Sequence, residues 1–97
     1  MKQINAAIQV LPRSKTIHTY DLVDSAIEII KKSGLKYRVC PFETVVEGSY
    51  EDVMNLVKEV QDACYDNGAE EMLVYLKIQS TKNSDVTIGD KMDKYDK

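Results

Sequence analysis

SGLKYRVCPFETVVEGS, residues 33–49, sits at the centre of the chain and decides how everything on either side must be arranged. Its first pair, Ser33-Gly34, reads as a helix end, because glycine accepts the left-handed conformation that stops helical winding. Leu35, Tyr37 and Val39 then alternate with Lys36, Arg38 and Cys40, the period of a strand. Pro41 ends that strand. Thr44-Val45-Val46-Glu47 is short and β-branched, and only Phe42-Glu43 separates it from the proline, so the two strands form a tight hairpin. Gly48 closes the second strand, and Ser49 with an acidic residue three positions later, Asp52, opens a helix.

Outward from this hairpin the pattern repeats. Upstream, Leu22, Val23, Ala26, Ile27 and Ile30 form one helical stripe, with Thr19 or Asp21 as cap and Lys31-Lys32 at the negative end of the dipole, which predicts a helix over Thr19–Ser33. Before it, Ile4 to Leu11 alternates Ile4, Ala6, Ile8 and Val10 against Asn5, Ala7, Gln9 and Leu11, a strand with one apolar face. Downstream, Val53, Leu56, Val57, Val60, Ala63 and Cys64 give a second stripe that closes at Asn67-Gly68. A last strand, Glu71 to Gln79, alternates Met72, Val74, Leu76 and Ile78 with Leu73, Tyr75, Lys77 and Gln79. The order β-α-β-β-α-β is the split βαβ, ferredoxin-like plan of the α+β class: a four-stranded antiparallel sheet with two helices on one face. Residues 1–97 form one domain. Within it 81–97 is a polar linker followed by a short C-terminal helix, carrying Ile88, Met92 and Tyr95, that packs on a neighbour or frays.

Composition narrows the function classes. Hydrophobic residues are 43% and charged ones 30%, ordinary globular usage that excludes a disordered or fibrous chain. Net charge is -3, with 7 basic and 5 acidic residues in 1–48 against 6 and 11 in 49–97, so the basic face of a nucleic-acid binder is not expected. Apolar runs fall far short of the roughly 20 residues needed to cross a bilayer. Met1-Lys2-Gln3 leads into no signal-peptide core, and a cytoplasmic protein without a membrane partner is the expectation. Cys40 and Cys64 lie far apart with no CxxC, and read as reduced, packed thiols; no metal or cofactor is implied. His18, the one histidine, suits an exposed or capping role, and Ser14 beside it lacks the GxSxG turn of a hydrolase. The chain reads as a non-enzyme.

In this topology the first two strands run parallel with the third between them. The segment Pro12–Thr19 and the turn Pro41-Phe42-Glu43-Thr44 are therefore expected to converge at one edge. There they would gather the hydroxyls of Ser14, Thr16, Thr19 and Thr44, the Glu43 carboxylate, and the rings of Tyr20 and Phe42, a set suited to a flat, hydrogen-bonding ligand. Gln9 and Thr44 are neutral polar groups in apolar settings, and Glu47 ends a central strand where its carboxylate must find a donor or a ligand. The sheet face away from the helices shows Ala7, Gln9, Leu11, Arg38, Cys40, Leu73, Tyr75 and Lys77, more apolar than a solvated sheet requires. A homodimer or homotetramer through that face is the expectation.

Pro41-Phe42-Glu43-Thr44-Val45-Val46-Glu47-Gly48, with Gln9-Val10-Leu11-Pro12 and Ser33-Gly34-Leu35-Lys36-Tyr37, resembles the small thiamine-binding protein family related to YkoF. The resemblance runs from the first strand to Lys91-Met92. It implies a ferredoxin-like protomer, dimers that pair into tetramers, and binding of thiamine or its hydroxymethylpyrimidine portion without chemistry. Many relatives have Pro-x-Gly-Thr and Pro-Met-Gly-Thr where this chain has Pro12-Arg13-Ser14-Lys15 and Pro41-Phe42-Glu43-Thr44, so the loops are reshaped at both points. In that reading Gln9, Thr16 or Thr44 matches the aminopyrimidine edge, Phe42 or Tyr20 the ring face, and Glu43 or Glu47 the thiazolium cation. Without a glycine-rich phosphate cradle, free thiamine is expected to be preferred over its diphosphate. The alternative is a regulatory or oligomerisation module for another small metabolite.

Overall fold

The computed structural model describes residues 1–96; Lys97, the last residue of the 81–97 segment, lies outside the described residues. Along the chain come β1 (Ile4–Arg13), α1 (Thr19–Lys32), β2 (Lys36–Val39), β3 (Thr44–Gly48), α2 (Tyr50–Asp66), β4 (Glu71–Gln79) and α3 (Ile88–Met92). The strands form one sheet in the order β2-β3-β1-β4, every neighbour antiparallel, which is the ferredoxin-like arrangement.

Local chemistry sets the helix ends. His18, rather than Thr19 or Asp21, caps α1: its Nδ1 accepts the Tyr20 N–H at 3.2 Å. The helix stops at Ser33, and Gly34 follows with φ +81°. Ser49 caps α2 by accepting the Asp52 N–H at 3.1 Å. At its far end Gly68 has φ +113°, and a Cβ there would stand 2.7 Å from Ile17 Cγ1. Glycine is required on both counts.

Register divides the sheet into two faces. Ala6 pairs with Val46 on one side and Ile78 on the other, so Ile4, Ala6, Ile8, Thr44 and Val46 face the helices. Leu22, Ala26 and Ile30 of α1 and Val53, Leu56, Val60 and Cys64 of α2 close this core. The opposite face carries Asn5, Ala7, Gln9, Leu11, Arg38, Val45, Leu73, Tyr75 and Lys77.

Two expectations are corrected. β1 does not stop at Leu11 but continues to Arg13, because β4 is long enough to pair with it through Arg13↔Glu71. The C-terminal segment folds back over the open face of its own sheet instead of fraying. Val86 N–H donates to Gln3 O at 2.9 Å, and Ile88 N–H donates to a Glu47 carboxylate oxygen at 2.7 Å. Burial of Val86 and Ile88 supplies the driving force, since five helical residues cannot hold their shape alone. Tyr95 lies beyond α3 and is exposed.

Candidate functional site

β3 begins at Thr44, which pairs with Ile8, whereas β1 runs on to Arg13 with only β4 beside it. The overshoot leaves a notch at the top of β3. Ile8, Gln9 and Val10 form its back, Val23, Ala26, Ile27 and Ile30 of α1 one wall, and the β2–β3 turn Cys40–Glu43 with Thr44 the other. Its volume is about 90 Å³. That is less than the roughly 150 Å³ that encloses a benzene ring, so a six-membered ring would not fit wholly inside.

The notch has polar groups at its rim and apolar walls. Thr44 is 6% exposed. Among the described residues no sealed side-chain polar atom lacks a partner, and no described group pairs with the Thr44 hydroxyl, so that hydroxyl keeps an opening onto the notch. Successive strand residues turn their N–H and C=O to opposite edges. Either Gln9 or Val10 therefore presents a donor and an acceptor where β3 has ended. Phe42 is 84% exposed beside the mouth, and Glu43 lines it while pairing with Lys77 at 3.1 Å.

Of the residues named from sequence, the structure brings Gln9, Phe42, Glu43 and Thr44 together. Gln9 contributes backbone, because its side chain stands on the opposite face in the row of Tyr75. Thr16 and Tyr20 do not join them. Pro12 lies four residues past the Ile8↔Thr44 pair, roughly 13 Å further along the strand, and the loop that follows goes with it. That loop is held elsewhere: Lys15 N–H donates to Glu70 at 2.8 Å, Thr16 N–H to Ser14 Oγ at 3.2 Å, and the Tyr20 ring lies 5.3 Å from His18. Glu47 faces the other side of the sheet, engaged by Ile88 N–H. Sequence reasoning assigned the α1 stripe to the core and missed Val23 and Ile27 as walls of the notch. Their position flanking the Leu22–Ala26–Ile30 line was the available signal.

A second, larger cavity of about 330 Å³ lies on the open face beneath the C-terminal segment, and Cys40 and Glu43 line both. Both cysteines are free thiols; Cys64 is buried, and burial pushes its pKa up. Among the described residues no three His, Cys, Asp or Glu side chains are grouped to hold a metal ion, and no helix is long and apolar enough to cross a membrane.

A family model described as thiamine-binding protein matches residues 6–96. A UPF0045 protein of Clostridium perfringens is 36% identical over 95 residues, 98% of this chain and 99% of its own. A Bacillus cereus structure described as a domain of unknown function superposes with TM-score 0.93 at 39% identity, covering 97% of this chain and 90% of that one. A candidate thiamine biosynthesis/salvage protein of Thermotoga maritima gives 0.84 at 33% identity, covering 96% and 98%.

Proposed function

The chain belongs to the thiamine-binding protein family, and from that premise we propose that it binds thiamine, or the hydroxymethylpyrimidine portion of it, in the notch above β3 without transforming it. The observation that carries this reading is the pairing of an open Thr44 hydroxyl with a free β1 edge inside a small apolar slot. An aminopyrimidine has the matching shape: flat faces for Val23, Ala26 and Ile27, and an edge of ring nitrogens and an amino group for Thr44 and the strand backbone. The slot is too small for the thiazolium ring. That cation stays at the mouth, where Phe42 offers an exposed ring face; the Glu43 carboxylate is turned toward Lys77 of the open face.

Binding without chemistry is supported by the surroundings. His18 has its Nδ1 engaged as the cap of α1, in the loop that β1 carries away from the notch. The diphosphate of thiamine would extend past the mouth, and the described residues lining the notch include no lysine or arginine to receive it. On this proposal the chain acts as a carrier or sensor, and as a homo-oligomer joined through the part of the open face that α3 leaves uncovered.

Calorimetric titration tests the ligand. Thiamine is expected to bind at least as tightly as hydroxymethylpyrimidine, the diphosphate no more tightly than thiamine, and Thr44→Ala to cost about 1 kcal/mol as one lost hydrogen bond. Absence of heat with all three, or tighter binding of the diphosphate, would sink the reading.

A further inference from the structure

The C-terminal segment stands off the open face of the sheet and roofs the cavity of about 330 Å³. Ala7 and Val45 provide an apolar floor, with Ile88 and Met92 overhead. The charged lining is one-sided in a chain of net charge -3: Arg38, Lys77 and Lys91 against Glu43. Two of these cations have carboxylate partners, Lys77 with Glu43 at 3.1 Å and Arg38 with Asp96 at 2.7 Å. Lys91 differs, because its Nζ donates to a neutral acceptor, Asn5 Oδ1, at 2.7 Å.

That contact is built from below. Asn5 is 4% exposed, and its Nδ2 donates to Val46 O at 2.9 Å, which turns the amide so that its oxygen is the acceptor. An ammonium has three donors and Asn5 takes one, which leaves Lys91 donors without a described partner at the cavity wall. Glu47, cross-strand from Asn5, is held by Ile88 N–H and does not line the cavity. Arg38 gives one hydrogen bond to Asp96 and retains further donors.

We propose that this cavity is a second ligand site, which takes a small organic anion: an apolar ring or short chain seated on Ala7 and Val45, with its carboxylate or phosphate held by Lys91 and Arg38. The site lies on the opposite face of the sheet from the notch, with Cys40 and Glu43 common to both linings, and its existence does not rest on thiamine binding in the notch. An occupant would tie α3 to the sheet, since Lys91 and Met92 come from the helix and Ala7, Arg38 and Val45 from strands β1, β2 and β3.

The test is two-dimensional NMR on the full chain with three probes that share a ring, namely phenyl phosphate, benzoate and uncharged benzyl alcohol. The two anions are expected to shift the amides of Ala7, Val45, Ile88 and Met92 saturably, and benzyl alcohol to bind about tenfold more weakly or not at all. Tighter binding of phenyl phosphate identifies phosphate esters as the ligand class; tighter binding of benzoate identifies carboxylates. Lys91→Gln is expected to weaken the anions about tenfold, with Lys91→Arg retaining them. Lys77→Gln, at a side chain 73% exposed, is expected to weaken them too by leaving Glu43 unpaired in the lining. Equal binding of benzyl alcohol, no saturable shift, or shifts centred on Val23 and Ile27 instead would overturn the proposal.

Discussion

Gly68 shows how one residue fixes the geometry around it. Its φ of +113° and the 2.7 Å approach of Ile17 Cγ1 to the missing Cβ leave no room for a side chain. Gly68→Ala is expected to lower stability by about 1–3 kcal/mol, the usual cost of an L-residue held in such a conformation, as measured by urea unfolding. The cysteines make a second case. Cys64 is fully buried with its pKa raised by desolvation, whereas Cys40 lines both cavities. In the native protein an alkylating reagent should modify Cys40 first and reach Cys64 only after unfolding; equal rates would contradict the packing. The raised thiol also sets a pH dependence. Above about pH 8.5 the unfolded chain releases this proton while the folded chain retains it, so the unfolded state binds fewer protons and stability falls as pH rises. Cys64→Ser should lessen that alkaline loss.

At the scale of elements, the helices owe their ends to single caps. Ser49→Ala removes the acceptor for Asp52 N–H and should destabilise the protein by about 1 kcal/mol, read from the shift of the denaturation midpoint. The cap of α2 was legible because Ser49 and Asp52 stand three apart just before an apolar stripe. β4 was legible for a similar reason, its alternation unbroken from Glu71 to Gln79. The cap of α1 was half legible: His18 suited a capping role, yet Thr19 or Asp21 was expected at the helix start, because a histidine nitrogen here does the work of a hydroxyl or carboxylate. The notch was only half legible. Sequence shows that β1 and β3 are neighbours and that the Pro41–Thr44 turn lies beside them, but not where β3 starts against β1. That register depends on pairing along β4, which carries Arg13 to Glu71 and the Thr16–Tyr20 region away with it. The fold of α3 onto its own sheet was equally invisible, since the Lys91–Asn5 and Ile88–Glu47 contacts join positions far apart in sequence.

The whole molecule is long, 44 Å by 30 Å by 20 Å, and β1 and β4 run past the end of β3 as a two-stranded ribbon. α3 covers the open face near Asn5 and Val45 but leaves Leu11, Leu73 and Tyr75 on the ribbon, the last two 38% and 53% exposed. An apolar patch on a half-covered sheet suits contact with the same patch of a second copy, because a two-fold axis lets each side chain serve both sides of the interface. Arg13 and Glu71, cross-strand partners at its border and 3.7 Å apart, are exposed charges of opposite sign and would meet their opposites across that axis. Sedimentation velocity should therefore find the protein as a dimer or larger, and Leu73→Asp should yield monomers of unchanged secondary structure, because the new carboxylate would be buried unpaired at the interface yet solvated on the free ribbon. A monomeric parent chain, or a variant that still assembles, would remove this face as the interface. Whichever way it falls, α1 and the notch lie on the other side of the sheet, so thiamine titration of Leu73→Asp separates assembly from ligand binding: retained affinity is expected if each protomer holds a complete site.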